Sequence, residues 1–375
     1  MAIRKRIWAT KCGERSAWIA DYRSHDGNRH IKTFRRKKDA ESWATTALFE
    51  VKQGTHTPES ASITVAEAAE NWIRRAELDS LERSTIAQYR QHANQHINPL
   101  IGRTKLSKLT TPAMQDVRDK LLEGMSRPLA KKVLTSIKSI LSDAQRRGHV
   151  SQNVARGVSI KMDGRHRRKI VVGEDIPSKQ EIREILDVAK GRWRPLLVTA
   201  VFTGLRASEL RGLTWENVDF DAKMIRVRQR ADKWNQIGSP KSGAGERDVP
   251  MAPMMMNTLR EWKLECPKGE LNLVFPNGRG NVEALANIYS RGFAPIQRAC
   301  DIVDANGKAK YGMHALRHFC ASWLIEQGFP PKRVQVIMGH SGIQITFDTY
   351  GHLFPSAEDD HARLAMGELS VVGGD

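Results

Sequence analysis

The chain has 375 residues, with 60 Lys and Arg against 42 Asp and Glu, for a formal net charge of +18. That excess calls for a polyanionic partner, nucleic acid or an anionic membrane surface; no apolar run nears the roughly 18 residues of a membrane span, and no apolar signal segment leads the chain, so a soluble intracellular protein is expected. Cys12, Cys266, Cys300 and Cys320 show no CxxC spacing, which excludes a recognisable zinc site or disulfide framework.

The charge is uneven. Residues 1–58 hold 13 basic and 6 acidic residues, residues 59–165 hold 18 and 11, and residues 166–375 hold 29 and 25. The two shorter front segments are the densely basic ones, as separate DNA-gripping modules would be.

Residues 1–58 begin with three strand-like pieces, "RKRIWATK", "SAWIADYRS" and "RHIKTFRR", the last two separated by "SHDGNR" with an Asp26-Gly27 hairpin signal. "KKDAESWATTALFEVKQG" reads as an amphipathic helix through Ala40, Trp43, Ala47 and Val51, ended by Gly54 and Pro58. A three-stranded sheet plus one helix, this basic, suits a DNA-binding module, with Arg35 and Lys37 as candidate DNA contacts.

"THTPESAS" reads as a linker, and residues 62–160 as a helical bundle. Its four helices are "ITVAEAAENWIRRAEL", "STIAQYRQHANQHI" with Ser84 as N-cap, "TPAMQDVRDKLLE" and "LAKKVLTSIKSILSDAQRRG". "YRQH" is expected on an exposed face, which makes Arg90 and His92 candidates for groove or phosphate contacts. Residues 161–177 are densely charged without apolar period and read as a second linker.

From residue 178 to 375 the pattern is mostly helical with one strand-rich insertion. "IRVRQRADKW" and "GERDVPMA" read as strands around "NQIGSPKSGA", a hairpin tip carrying Lys241. Upstream, "FTGLRASELRGL" places a turn at Thr203-Gly204 and Arg206 at a helix start, with Glu209 one turn on and able to orient it. In "HALRHFCASW", Leu316, Phe319, Cys320, Trp323 and Leu324 share one stripe, while His314, Arg317 and His318 form a cationic plate on the other face. A metal site would need an acid after the first His, where Ala315 stands; a solvated face or a phosphate site remain. In "PPKRVQVIMGHSGIQITFDTYGHL", Gly339 is a C-cap and His340 lies at the turn. Ile343, Phe347 and Tyr350 share a face of the next short helix, pointing Tyr350 into the domain.

Taken in order, "TGLRASEL", "SPKSGAGERDVP", "HALRH", "MGHSG" and "DTYGHLF" resemble the catalytic motifs of the tyrosine recombinase (phage integrase) family. The likeness spans the C-terminal half. The middle bundle resembles the family's core-binding domain, and the first 58 residues resemble arm-binding domains. The resemblance implies a mostly α fold with small β elements: an N-terminal three-stranded sheet plus helix, a helical bundle and a mixed α/β catalytic domain. It implies a site-specific recombinase working through a 3′-phosphotyrosine, with Tyr350 as nucleophile, Arg206 and Arg317 on the scissile phosphate, and His340 bonding a phosphate oxygen. His314 would assist deprotonation and Lys241 would protonate the 5′ oxygen, with Glu209 and His318 in supporting roles. No metal or cofactor is implied. The partners implied are core and arm attachment sites in double-stranded DNA, a homotetramer on DNA, and a host DNA-bending protein and directionality factor, in the cytoplasm and nucleoid of a bacterial host. Two rivals share parts of this pattern: a monomeric type IB topoisomerase-like enzyme and a non-catalytic DNA-binding protein on the same fold.

Overall fold

The structure is a computed structural model that describes residues 2–10, 13–23, 27, 29–52, 62–161, 170–354 and 360–372. The chain divides into two compact units, Met1–His166 and Arg167–Asp375. Asp26, Gly54, Pro58 and most of the "THTPESAS" segment lie outside the described residues, as does 162–169 of the second linker.

In the first unit, β1 (Ala2–Thr10), β2 (Gly13–Arg23) and β3 (Arg29–Phe34) form an antiparallel meander in the order β1-β2-β3. Arg4 faces Ile19 across the first pair and Trp18 faces Phe34 across the second. The helix Lys37–Lys52 lies on this sheet through Ala40, Ala44 and Ala47, against Ala20 of β2. These small side chains let helix and sheet approach closely, and Trp18, Phe34 and Trp43 cover the rim. Arg35 is exposed, and Lys37 is exposed beside Glu41 and over the Trp18 ring. Both cations are thus open to a partner.

The bundle begins at Val65–Leu78, whose start is fixed by a reciprocal cap: Thr64 accepts from the Glu67 amide and Glu67 accepts from the Thr64 amide. Next comes Arg83–Gln91, continued by a π-helical turn, His92–Ile97, and by Asn98–Ile101. Thr111–Gly124 and Arg127–Arg146 complete it. Ile73, Ile97, Met114, Leu121, Ile137, Ile140 and Leu141 are buried at its centre. Three local expectations change. Ser84 lies inside its helix, which is preceded by Glu82 without a side-chain cap. His92 is 4% exposed, with Nδ1 2.8 Å from Ser136 Oγ, so it is a core residue and not a phosphate contact. Ala93 and Ile97 are buried beside it, and Ser136 of the last helix supplies the polar partner that lets an imidazole take a core position. Tyr89 is half-buried, its ring stacked on Trp72 with centroids 4.1 Å apart. Arg90 is exposed and paired with Glu77 at 2.6 Å.

The second unit is built around Trp193–Thr203, a helix apolar on nearly every side and buried from Pro195 to Val201. Met313–Glu326, Pro253–Glu265 and Lys179–Val188 contact it. Beside it stand a small antiparallel sheet of β4 (Val218–Asp219), β5 (Met224–Val227) and β8 (Arg247–Pro250), and a ribbon of β6 (Arg230–Ala231) with β7 (Ile237–Gly238). The turn of the ribbon is Asp232–Gln236, so Lys241 sits after β7, in the connection to β8, rather than at the hairpin tip. Ala207–Gly212, Pro331–Met338 and Ile343–Tyr350 are the short helices that carry site residues. The last helix is Asp360–Val372. Among the described residues no helix is long and apolar enough to cross a membrane.

Burial separates two leucine-like positions of the bundle sharply. Ile137→Ala should cost about 2–4 kcal/mol in urea unfolding, because it opens a cavity at the bundle centre. Leu78→Ala, at a side chain 75% exposed, should stay within about 0.5 kcal/mol. Equal costs would mean that the bundle core lies elsewhere.

Candidate active site

Helix Trp193–Thr203 ends at Gly204, whose φ of +61° is the left-handed cap that a glycine adopts without strain. A side chain there is also blocked by space: a Cβ would lie 2.7 Å from Met338 Sδ. Two residues on, Arg206 is extended and caps the start of Ala207–Gly212. Its Nη1 donates to Glu209 Oε1 at 2.7 Å, and its Nη2 to the carbonyl of Gly339 at 2.8 Å. Its amide donates to Glu209 Oε2 at 2.9 Å, so Glu209 both caps the helix and orients the guanidinium, as the spacing predicts.

Glu209 is buried and serves a second arginine. Arg247 Nη2 donates to Glu209 Oε2 at 2.9 Å, Nη1 to the Gly245 carbonyl at 3.0 Å, and Nε to the Ile337 carbonyl at 2.6 Å. Burial alone would push the Glu209 carboxyl up, but Arg247 and then Arg206 outweigh it and hold the group below the usual carboxylate range. Arg247 escaped the sequence reading. Its signal was present: in β8, Arg247 and Val249 alternate inward, and an arginine on the buried face of a strand needs an anion and carbonyls around it.

Arg317 is 4% exposed although it lies on the face opposite the leucine stripe. Its Nη1 donates to the Gly204 carbonyl at 2.5 Å and its Nη2 to the Met338 carbonyl. These acceptors sit at the C-terminal ends of Trp193–Thr203 and Pro331–Met338, where helix dipoles concentrate partial negative charge. Burial first, and the nearby Arg206 second, lower Arg317 to about 10, which leaves it charged at neutral pH. Gly339, φ +64°, closes the second helix; a Cβ there would meet Arg247 Nη1 at 2.8 Å and the Ala244 carbonyl at 2.9 Å.

His340 follows Gly339 and is buried, its Nδ1 2.9 Å from Thr346 Oγ1. Thr346 and Tyr350, four residues apart, form the buried face of Ile343–Tyr350. Ile343 and Phe347, expected on that face with Tyr350, are exposed instead, because one turn back from Tyr350 the inward position is Thr346, at i−4. The Tyr350 ring lies nearly parallel to His340, at 12° with centroids 6.3 Å apart. Its hydroxyl meets His318 Nδ1 at 2.8 Å. His314 stands edge-on to His318, centroids 4.7 Å apart.

Tyr350 is 2% exposed, and burial pushes its phenol well above the ordinary tyrosine range, with Arg317 pulling the other way. His318 and His340 are each lowered to about 4, first by burial and then by neighbouring cations, so both are neutral at pH 7. Arg206, His314, Arg317, His340 and Tyr350 therefore belong to one connected site. Lys241 is exposed in the β7–β8 connection, six residues before Arg247, and none of its described contacts joins it to that site. The result is a buried, cationic cradle with a phenol at its wall: groups that can bind a phosphate diester and attack it.

Residues 178–356 match the phage integrase family, and residues 64–122 match the SAM-like N-terminal domain found with it. A XerC-like tyrosine recombinase of Caldanaerobacter subterraneus is 28% identical over 362 residues, 89% of this chain and 90% of that protein. The tyrosine recombinase XerC of Xylella fastidiosa is 30% identical over 61% of this chain and 71% of its own. Among solved structures, the Tn1549 transposon integrase in complex with a circular intermediate DNA covers 82% of this chain and 100% of its own, with a TM-score of 0.65 at 20% identity. A lambda integrase tetramer bound to a Holliday junction covers 90% and 95%, with a TM-score of 0.59 at 18% identity. At those identities the structural likeness is one of fold.

The buried groups set a direction for acid stability. His318 and His340 refuse protons that the unfolded chain accepts below the ordinary histidine value of 6.5, down to their folded values of about 4. The unfolded state therefore binds more protons in that window, and stability falls as pH is lowered through it. Glu209, lowered too, adds a loss in the same direction at lower pH. Urea midpoints of the intact chain measured from pH 7.5 to 4 should drop progressively, and His340→Gln should flatten part of the drop. Midpoints that hold or rise on acidification would contradict the buried, neutral imidazoles.

Proposed function

We propose the following for this chain, which belongs to the phage integrase family of tyrosine recombinases: it cuts and rejoins double-stranded DNA at attachment sites through a 3′-phosphotyrosine, integrating or excising a mobile element. The observation that carries this reading is the Tyr350 phenol held against His318 and His340 in the same site as Arg206 and Arg317.

Arg206 is the more open of the two arginines; Glu209 and Gly339 each take one N–H from one of its two terminal nitrogens, which leaves its remaining N–H groups for a non-bridging oxygen. Arg317, locked by two carbonyls, supplies fixed charge beneath that oxygen. His340 adds a hydrogen bond to the phosphate, its far nitrogen oriented by Thr346. Tyr350 Oη attacks phosphorus, the P–O5′ bond breaks, and Lys241, brought in on its exposed connection when DNA binds, gives its proton to the 5′ oxygen. The phosphotyrosine keeps the bond energy, and a 5′ hydroxyl from the partner strand reverses the step.

Residues 1–58 are read as the arm-site module, with exposed Arg35 and Lys37 toward DNA, and residues 62–160 as the core-site module, with Arg90 toward the backbone in exchange for Glu77. Residues 178–375 form the catalytic domain. A homotetramer on paired sites, helped by a host DNA-bending protein and a directionality factor, would carry out strand exchange in the cytoplasm at the nucleoid. The lambda integrase tetramer on a Holliday junction supports the tetramer by likeness of fold. In the last helix Leu364, Met366, Val371 and Val372 are exposed, so the tail presents apolar side chains that a neighbouring protomer would cover. Leu369 and Pro355 lie outside the described side chains.

Tyr350→Phe should bind a nicked suicide half-site as the unaltered chain does and give no covalent adduct in a denaturing gel, since only the phenolic oxygen is lost. An adduct from the Phe variant would reassign the nucleophile. Removing residues 356–375 should leave binding of one protomer to a half-site intact and abolish cooperative assembly on paired sites, read by native gel shift. Paired-site complexes as abundant as those of the full chain would dismiss docking of the tail on a neighbour.

A further inference from the structure

His314 is the histidine expected, by resemblance, to help deprotonate the nucleophile. The side chains are arranged otherwise. Among the described residues, the hydrogen-bond partner of Tyr350 Oη is His318, at 2.8 Å from Nδ1. His314 reaches the phenol only through the His318 ring, which it meets edge-on. We propose that His318 is the proton acceptor in the cleavage step, its Nδ1 taking the phenolic proton as Tyr350 Oη bonds to phosphorus.

This deepens, and rests on, the recombinase reading above. The step balances within the site. The phenolic proton goes to His318 Nδ1, the Oη electron pair forms the bond to phosphorus, and the 5′ oxygen leaves with the proton of Lys241. On religation Tyr350 Oη departs and takes its proton back from His318. A protonated phenol needs an acceptor, so the resting hydrogen bond runs from Oη to a bare Nδ1, with the ring hydrogen on Nε2.

The surroundings explain why the proton moves only when DNA is present. His318 is faced by His314 and Arg317 from its own helix, by Tyr350 and His340 from the segment after Gly339, and by Asp175 ahead of Lys179–Val188. Burial is the largest influence on His318, and His314 and Arg317 add to it against the one carboxylate, Asp175, so without DNA the imidazole stays neutral and the phenol stays protonated. A phosphate diester brings a negative charge to the same cluster. It offsets Arg206 and Arg317 and favours an imidazolium at His318 while the Oη electron pair passes into the bond to phosphorus and the arginines face the charge on the phosphate oxygens. The nucleophile is thus unmasked by its own substrate, and no free phenolate need form beforehand.

The test uses the full chain and a nicked suicide half-site, with single-turnover adduct formation as the readout. His318→Asn keeps a hydrogen-bonding group at the Nδ1 position but cannot take a proton. It should bind the half-site normally and form adduct about 10²- to 10⁴-fold more slowly. A ring-fluorinated tyrosine incorporated at position 350, with a more acidic phenol, should restore much of the rate in His318→Asn while changing the rate of the unaltered chain at pH 7 little. A histidine that merely holds the ring in place would show no such rescue. Should His318→Asn fail to bind DNA, His318→Gln is assayed the same way. If neither binds, the fluorinated phenol in the native chain decides: an adduct rate that becomes less dependent on pH supports His318, and an unchanged profile overturns it. Adduct formation by His318→Asn at the native rate, or a slow rate that the acidic phenol does not rescue, also overturns the assignment while leaving the recombinase reading standing. No adduct from the unaltered chain sinks both.

Discussion

The candidate site in the second unit is arranged around the problem of gathering guanidinium groups in one small volume. Arg206, Arg247 and Arg317 repel one another, and two of them are almost fully buried. One carboxylate, Glu209, lies between Arg206 and Arg247. The rest of the compensation comes from backbone carbonyls: Gly204 and Met338 for Arg317, Gly339 for Arg206, Ile337 and Gly245 for Arg247. Most of these are orphan acceptors at helix C-termini, groups that would otherwise need water. The helices therefore end where they do for a reason that is electrostatic as much as steric. A lone carboxylate could not neutralise three cations, and a second one would compete with an incoming phosphate. Carbonyls hold the arginines without cancelling their charge, so the cradle stays attractive to an anion.

Tyr350, the nucleophile proposed above, is kept the other way, by removal of charge. Tyr350 is protonated, buried, and set against two imidazoles that their surroundings keep neutral. The cations that add to burial in depressing the histidines would also attract the phosphate, so on the proposed reading the resting state and the working state are two responses of one field to the presence or absence of DNA. This joins substrate binding to chemistry without a moving lid. It also explains why the buried face of the nucleophile helix is made by Thr346 and Tyr350 rather than by its larger apolar residues: Thr346 is needed by His340.

The sequence made the main outline readable wherever a residue's role is fixed by its immediate neighbours. The glycine turns, Arg206 with Glu209, the helix carrying His314 and Arg317, and the placement of Tyr350 all follow from local spacing, and the three-stranded sheet with its helix follows from period and turn chemistry. What stayed hidden depends on partners distant in the chain. His92 looks like a surface histidine until Ser136, 44 residues away, gives it a bond in the core. Arg247 looks like one more strand cation until Glu209 and the Ile337 carbonyl meet it. His318 looks like an ordinary surface histidine until the return of the chain at Tyr350 sets a hydroxyl against it. Lys241 was misplaced because the ribbon β6–β7 consumes the Ile237-Gly238 step that composition alone assigns to the hairpin tip.

Gly204 and Gly339 close two helices and lie 135 residues apart in the chain, and each is hemmed in by distant residues: a Cβ on the first would strike Met338, the neighbour of Gly339, and one on the second would strike the Arg247 guanidinium. Both positions also hold backbone that only glycine takes up readily. Each turn is thus held by packing from remote parts of the unit as well as by its own backbone. A lineage carrying this site has little room to exchange either glycine by a lone substitution, however mild, because the neighbouring backbone, Met338 and Arg247 would all have to change together. Sequence divergence among descendants of this protein should therefore be channelled outward, into the ribbon, the exposed faces of the bundle and the basic front module, leaving the junction of the two helix ends as the slowest-changing part of the molecule.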